Sequence, residues 1–442
     1  MIKNIIKKIV IFALYLEAKL ILKKYKPKII AITGTAGKTS TKDAVYTVVR
    51  REFFARKSPK SYNSEIGAPL TVIGAKSAWG NLFLWILILF KGLRLLAIRH
   101  DYPELLVLEM GVDRPGDMDK LLSWIKPDIA IITRLGDIPV HVEYFSGIDE
   151  LAKEKAKLIK VLKQENYAIL NGDDEAVLGM QNKTKANVIT YGFAREKEEE
   201  EKEKKFDLMA SNYHIVYRTE DGREIPEGIT FKVDYNGKIV PIRLYDVFGE
   251  QAVYNVLAAL AAGSVLGINM IEMAELLSVY KSPPGRLKLL EGIKNTFIID
   301  DSYNSSPVAL KMAIDVLKDV PAKRKVAVLG DMLELGKYTI DEHKRAGRMV
   351  KDVADVLFTV GPRSKFTAEE ARALGFDKDK IFEFSTSDEA KAVLQDVIEE
   401  GDLILIKGSQ SMRMEKIVEE IMAHPELKEE LLVRQEKEWK KR

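Results

Sequence analysis

The chain predicts an α/β fold of two units built on mostly parallel sheets, and three observations carry that prediction. Short apolar runs alternate with helical stretches along most of the sequence. The runs stop at chemically active residues, as parallel strands do when ligands gather at their carboxyl ends. And 442 residues, 46% of them apolar and 31% charged, give the composition and core of a soluble globular protein with two or three structural units. A formal charge of +3 creates no whole-molecule field for nucleic acid, so no nucleic-acid partner is expected. The absence of cysteine excludes disulfides, thiolate metal sites and a cysteine nucleophile.

The first element, MIKNIIKKIVIFALYLEAKLILKKYKPK, predicts a basic amphipathic helix over residues 1–27. Its apolar run Ile9–Leu16 is too short to span a bilayer and meets Glu17 and Lys19 without a small-residue cleavage site. Lys3, Lys7, Lys8, Lys19, Lys23, Lys24, Lys26 and Lys28 suit an anionic membrane surface as well as plain solvent. A strand follows from Ile29 to Thr33, then a glycine-bearing turn and a helix from near Ser40. Segment 79–99 holds an unbroken apolar run from Leu82 to Phe90, ended by Lys91 and Arg94. Two readings of it stand: a buried helix, or a helix lying in the headgroup region of a membrane.

Strands are expected at Leu105–Leu108, Ile129–Ile132 and Tyr167–Leu170, with helices at Asp117–Trp124 and Gly147–Lys163 between them. The charge run Arg195–Lys205 reads as a solvated segment, and Phe206–Val247 as a small β-rich insert. A long Ala/Leu helix follows over Ala252–Leu266. Pro283-Pro284-Gly285 then marks a boundary between a central unit, 28–282, and a C-terminal unit, 283–442. In the latter, strand candidates at Thr296–Ile299, Lys325–Leu329, Val356–Val360 and Leu403–Ile406 make a smaller, Rossmann-like α/β arrangement.

The strongest chemical signal is Gly34-Thr35-Ala36-Gly37-Lys38-Thr39-Ser40 at a strand-to-helix junction. Glycines let the backbone wrap phosphate oxygens, the helix N-terminus attracts them, Lys38 reaches the outer phosphates, and Thr39 can ligate Mg²⁺. The loop is shorter than the usual P-loop, with Ile32 where the first glycine would fall; a purely structural glycine turn is the alternative. Glu109, at the end of its strand, reads either as a metal-binding carboxylate or as a capping one. His141, in TRLGDIPVHVEYF, reads either as a ligand or as a packing histidine.

Taken together, GTAGKTST, NSEIGAPLTVIG, EMGVDRPGD, HVEYF, LAKEKAKLI, LNGDD, GEQAVYNVLAAL, PPGRLK, IIDDSYNSSP, VLGDMLELG with His343 downstream, and KGSQSMRME resemble the Mur ligase family of ATP-dependent amide-forming ligases. The likeness runs from about Lys28 to Glu420 and is greatest to the branch that adds D-alanyl-D-alanine to a peptidoglycan precursor peptide. The resemblance implies ATP and two Mg²⁺ ions. It implies that the loop Gly34–Ser40 holds the phosphates, that Thr39 and Glu109 serve one metal, and that His141 serves a second. It makes Lys155 the lysine that family members can carry carbamylated, an anionic metal ligand where an unmodified side chain would be an ordinary helix-surface lysine; Lys153 and Lys157 leave the alignment open by a turn.

The same resemblance places Asn255, Arg286, Asp301, Tyr303 and Asn304 at the nucleotide or the incoming amine, and Lys407 and Ser409 at the acceptor pocket. Catalysis would rest on Lys38, His141, Lys155 and Arg286. The implied chemistry activates a peptide carboxylate as an acyl phosphate, which the amine then attacks. Two local departures bear on substrate detail: Gln251-Ala252 where a His-Asn pair is common, and Ser305-Ser306-Pro307 where Ala-Asn-Pro follows Asn304. A third is at the front. Only 27 residues precede the first strand, too few for the family's uridine-binding domain, so uridine recognition is expected from elsewhere, or a lipid handle in its place.

A cytoplasmic monomer is expected, with peripheral contact to the inner face of the membrane through 1–24 and 79–99. The alternatives are a folylpolyglutamate-synthase-like ligase of the same superfamily and a non-catalytic, membrane-associated ATP-binding module.

Overall fold

A computed structural model describes residues 2–59, 61–138, 141–194, 205–220 and 223–440. The charge run at 195–204 lies outside these residues. In chain order the first unit comprises α1 (Ile2–Tyr25), β1 (Lys28–Thr33), α2 (Lys38–Val49), β2 (Ala55–Lys57), α3 (Gly67–Ile73), α4 (Leu82–Ala97), β3 (Leu105–Glu109), α5 (Asp117–Leu122), β4 (Ile129–Ile132), α6 (Ile148–Lys160), β5 (Tyr167–Asn171), α7 (Glu175–Leu178), β6 (Asn187–Phe193), β7 (Leu208–Glu220), β8 (Arg223–Tyr235), β9 (Lys238–Tyr245), α8 (Glu250–Val265) and α9 (Met270–Ser278). The second comprises β10 (Lys288–Gly292), β11 (Thr296–Asp301), α10 (Pro307–Asp319), β12 (Arg324–Gly330), α11 (Thr339–Lys351), β13 (Val356–Val360), α12 (Lys365–Ala373), β14 (Ile381–Phe384), α13 (Ser387–Val397), β15 (Asp402–Lys407) and α14 (Glu415–Ile421).

The alternation of side chains along β1 sets the layers. Ile30 and Ile32 enter one apolar cluster and Ile29 and Ala31 the other, so the strand is buried on both faces, as central parallel strands are. The first sheet has nine strands in the order β2-β3-β1-β4-β5-β6-β7-β8-β9, parallel through β7. β1 sits where the chain order reverses, with β3 on one side and β4 on the other, which opens a crevice at its carboxyl end. α8, buried at every position from Gln251 to Gly263, lies under this sheet against α2. A helix apolar all round must be enclosed.

The β-rich stretch Phe206–Val247 extends the first sheet. β7 pairs in parallel with β6 through Tyr191 and Leu208, and the antiparallel β7-β8-β9 meander extends the same sheet. The unpaired edge of β6 explains this: it offers backbone donors and acceptors that a neighbouring strand satisfies.

The second sheet has the order β10-β11-β15-β12-β13-β14, parallel except for β10 at one edge. Ile299, Leu329 and Leu405 join the apolar cluster that also contains α8, so the packing is continuous between the two units. The Ser305-Ser306-Pro307 departure has a local structural reason. Ser306 Oγ accepts the Ala309 N–H and Pro307 occupies the first turn of α10, a helix start of capping serine and pre-set proline.

Candidate active site between the two sheets

The site is built on the loop between β1 and α2. Gly37 has φ 84°, and a Cβ there would come 2.5 Å from Gln251 Nε2, so this position requires glycine. The loop divides its backbone. Thr35 and Ala36 donate their N–H groups to Arg134 O at the end of β4, which pins the loop to the sheet. The first N–H groups of α2, those of Lys38, Thr39 and Ser40 ahead of the Thr41 N–H that reaches Gly37 O, have no helical carbonyl one turn back, and together with the helix dipole they form the anion-attracting end. Of the residues expected to cradle phosphate, Gly34 to Ala36 therefore position the loop, while Gly37 to Ser40 carry the helix terminus.

Side chains complete it. Lys38 Nζ donates to Gly34 O at 2.9 Å and to Thr35 O at 3.2 Å. Burial lowers its pKa, opposed by the Glu109 carboxylate. Thr39 Oγ1 donates to Glu109 Oε2 at 2.9 Å, and Asn63 Nδ2 donates to Glu109 Oε1 at 3.1 Å. Glu109 thus faces Thr39 across the strand ends, and Asn63, in the NSEIGAPLTVIG stretch, orients it.

Lys155 is where the structure departs most from the sequence reading. It is not on the helix surface: it is 3% exposed, and its Nζ donates to Gly34 O at 3.1 Å. Burial, with the nearby Lys38 charge, pushes its pKa down to about 7. Lys153 is exposed, and Lys157 pairs with Asp119 and Glu154, so of these three lysines it is Lys155 that reaches the loop. His141 lines the same small polar cavity as Gly34, Lys38, Asn63, Asp113 and Lys155. Its Nε2 lies 3.4 Å from Asp113 Oδ1, and its Nδ1 lies 2.6 Å from Glu334 Oε2 of the second unit.

From that second unit Arg286 reaches over the loop, its Nη2 3.4 Å from Thr39 Oγ1 and its guanidinium stacked 4.0 Å from the Tyr303 ring centre. Asn255 accepts from Thr41 and Gln251, which ties α8 to α2 beneath the same cleft. Ser40, Arg286, Asp301 and Asn304 also line this cleft. Lys407 does not: at 1% exposed it pairs with Asp301 at 2.5 Å and donates to Asn304 O. It supports the loop of Asp301 to Asn304 from behind. Ser409 does border one, with His141, Asn304, Glu334, Arg413 and Trp439.

Three cavities therefore meet around the loop, sharing Thr35, His141 and Asn304 as common walls. The fit to a nucleotide rests on orphaned polar atoms in them: among the described residues, Thr35 Oγ1, Gln251 Oε1 and Arg286 Nε are buried without a hydrogen-bond partner. Such groups call for a bound partner.

Sequence reasoning missed Asp113, Glu334 and Ser61, whose Oγ lies 3.0 Å from Thr39 Oγ1. Glu334 had a signal in VLGDMLELG. His343 holds that loop, taking the Met332 N–H on Nε2 and facing Thr339 O with Nδ1, while burial lowers its pKa.

Comparison with known proteins agrees with this geometry. Residues 92–263 match the Mur ligase middle domain and 285–410 the Mur ligase, glutamate ligase domain. A Bacillus subtilis UDP-N-acetylmuramoyl-tripeptide–D-alanyl-D-alanine ligase is 30% identical over 417 residues, covering 93% of this chain and 80% of that protein. The Rickettsia prowazekii protein of the same name is 27% identical, covering 89% and 78%. Among solved structures, MurF from Thermotoga maritima in complex with ADP superposes with a TM-score of 0.73 at 24% identity, over 93% of this chain and 83% of that one. MurF from Acinetobacter baumannii gives 0.73 at 22% identity, over 92% and 79%. Both structures establish the shared fold. With the phosphate loop, the two-sheet cleft and the Bacillus relative taken together, the chain belongs to the Mur ligase family.

Proposed function

We propose that this chain is an ATP-dependent ligase of peptidoglycan precursor synthesis that joins the peptide carboxylate of a muramoyl-tripeptide to D-alanyl-D-alanine. The observation that carries the reading is the convergence of Lys38, Lys155 and Arg286 on one loop between two sheets, beside a cavity walled by His141 and Ser409. Relatives with 80% and 78% of their length matched bear the name of that reaction.

In the proposed reaction a carboxylate oxygen attacks the γ-phosphorus of ATP and ADP leaves. The amine of D-alanyl-D-alanine then attacks the acyl carbon, forms the C–N bond and expels phosphate, with one proton lost from the amine. Catalysis is positioning and charge stabilisation. The α2 terminus and Lys38 hold the phosphates, and Arg286 closes over them from the second unit. Gln251, Asn255, Asp301, Tyr303 and Asn304 shape the nucleotide side, and Ser409 and Arg413 border the amine side. A Mg²⁺ ion, which keeps waters and takes oxygens from phosphate and one or two carboxylates, fits Thr39 with Glu109. A second fits His141 with Lys155 if that lysine is carbamylated. Mg²⁺ would supply neutralisation of phosphate charge.

Residues 28–282 and 283–442 act in this reading as two units that close on their substrates. The same proposal includes a monomer working in the cytoplasm, with peripheral contact to the membrane through 1–24 and 79–99.

The test is phosphate release by the full chain with ATP, Mg²⁺ and a muramoyl-tripeptide, with and without D-alanyl-D-alanine, followed by product mass. Release that needs both substrates, with a mass gain of one amide, is the expected result. Steady ATP hydrolysis indifferent to either substrate would overturn it.

A further inference from the structure

α1 and α4 are two neighbouring helices whose outward faces are apolar. They run in the same direction: Lys24 Nζ, at the end of α1, caps the last carbonyls of α4 at Leu95, Leu96 and Ile98, and Glu17, one helical stretch earlier, packs on Gly92. The inner side of α1 is ordinary core, with Leu14, Ala18 and Ile21 buried. Its outer side is not. Ile9, Phe12, Leu16 and Leu20 follow helical spacing and remain exposed, Phe12 at 65%. On α4 only Ile88 and Gly92 are buried, while Leu82, Phe83, Ile86, Leu87, Phe90 and Leu93 are exposed, Phe83 and Phe90 each at 66%. The buried-helix reading of 79–99 is thereby set aside. An exposed apolar face of this extent marks an interaction surface.

Its charge says what it meets. Lys7, Lys8, Lys19 and Lys23 on α1, and Lys91, Arg94 and Arg99 on or beside α4, are exposed around the apolar residues. Segment 79–99 contains no acid, and the one acid in 7–28, Glu17, is buried. A second copy of the chain would bring the same cations face to face with these. A surface of anionic headgroups over hydrocarbon complements both the apolar centre and the basic border. No helix among the described residues is long and apolar enough to cross a membrane, and α4, at 16 residues, suits lying in the interface.

The face also leads to the site. Trp79, just before α4, makes an edge contact with Trp439 at 6.0 Å, and Trp439 walls the cavity that holds His141 and Ser409.

We propose that α1 and α4 form one docking face for an anionic bilayer, with Phe12, Phe83 and Phe90 entering the headgroup boundary and the lysines and arginines on the lipid phosphates, so that the cleft stands beside the lipid surface. This rests on the peripheral contact proposed above and adds its lipid chemistry, its inserted side chains and its place relative to the cleft.

The experiment is vesicle flotation of the full chain, without ATP or substrates, on mixed phosphatidylglycerol–phosphatidylcholine vesicles and on phosphatidylcholine alone. Wild type is expected to float with the anionic vesicles and to be released by salt. A Phe12→Ser, Phe83→Ser, Phe90→Ser variant and a separate Lys19→Glu, Lys23→Glu, Arg94→Glu variant are each expected to lose about tenfold in partitioning, with unchanged melting temperature. Phosphate release with soluble substrates should stay at wild-type level in both, so failure of the ligase reading and failure of this one are read separately. Equal flotation on neutral vesicles, no flotation of wild type, or retained flotation of the serine variant would overturn the proposal. So would a lipid-free wild-type dimer that the serine variant turns into a monomer, since the face would then be an interface between copies.

Discussion

Lys155 shows how a single residue's burial was present in the sequence and still open to misreading. In IDELAKEKAKLIK, Leu151, Lys155, Leu158 and Ile159 share one helical stripe, so the lysine stands among core positions and is buried with them. A lysine on an apolar stripe loses hydration, which disfavours its charge; with Lys38 close by, its pKa falls to about 7. The neutral amine is the form that adds CO₂ to become a carbamate, with release of one proton. Removing CO₂ from the buffer is therefore expected to lower turnover, and bicarbonate to restore it, faster at pH 8 than at pH 6, where the amine is mostly protonated. Lys155→Ala should lose about 10–100-fold in kcat with no response to bicarbonate. Full activity of wild type in CO₂-free buffer would rule the modification out. The strand, turn and helix around Gly34–Ser40, by contrast, were legible in the sequence, because strand, glycines, lysine and helix are adjacent in the chain. Glu334 and Asp113 were not, because what brings them to His141 is tertiary packing.

At the scale of elements, the central parallel strands β1, β3, β4, β5, β11, β12, β13 and β15 were read almost to their ends, since each is a short, largely buried apolar run. α4 could not be resolved: an apolar run says that a helix avoids water, and burial or a membrane surface satisfies it equally. The three-residue β2 and the edge strands β10 and β14 are short and interrupted by charged residues, Arg56, Glu291 and Glu383, and do not stand out. Glu17 gives the α1–α4 seam a measurable pH dependence. Its carboxyl packs on Gly92, Oε2 has no partner among the described residues, and burial raises its pKa to about 7. A carboxyl raised in the folded state contributes stability that is present below its unfolded pKa near 4.5 and is lost as pH rises through about 7. Thermal melts should therefore show Glu17→Gln gaining roughly 1–3 kcal/mol over wild type at pH 8 and nothing at pH 4. An equal shift at both pH values would contradict this account.

For the whole molecule, the cleft exists only because two sheets meet over one loop. Arg286 crosses to Thr39, and Glu334 crosses to His141, so the second unit completes what the first begins. The alternating pattern and the Pro-Pro-Gly break made two units legible, whereas the nine-stranded extent of the first sheet emerged only when β7–β9 paired onto β6. The central claim is that a carboxylate is activated by phosphoryl transfer in this cleft. The most direct measurement uses a muramoyl-tripeptide labelled with oxygen-18 in its reacting carboxylate, turned over with ATP and D-alanyl-D-alanine by the full chain. The account predicts one labelled oxygen in each phosphate released and one retained in the new amide. Phosphate carrying no label, with or without product formed, would contradict it.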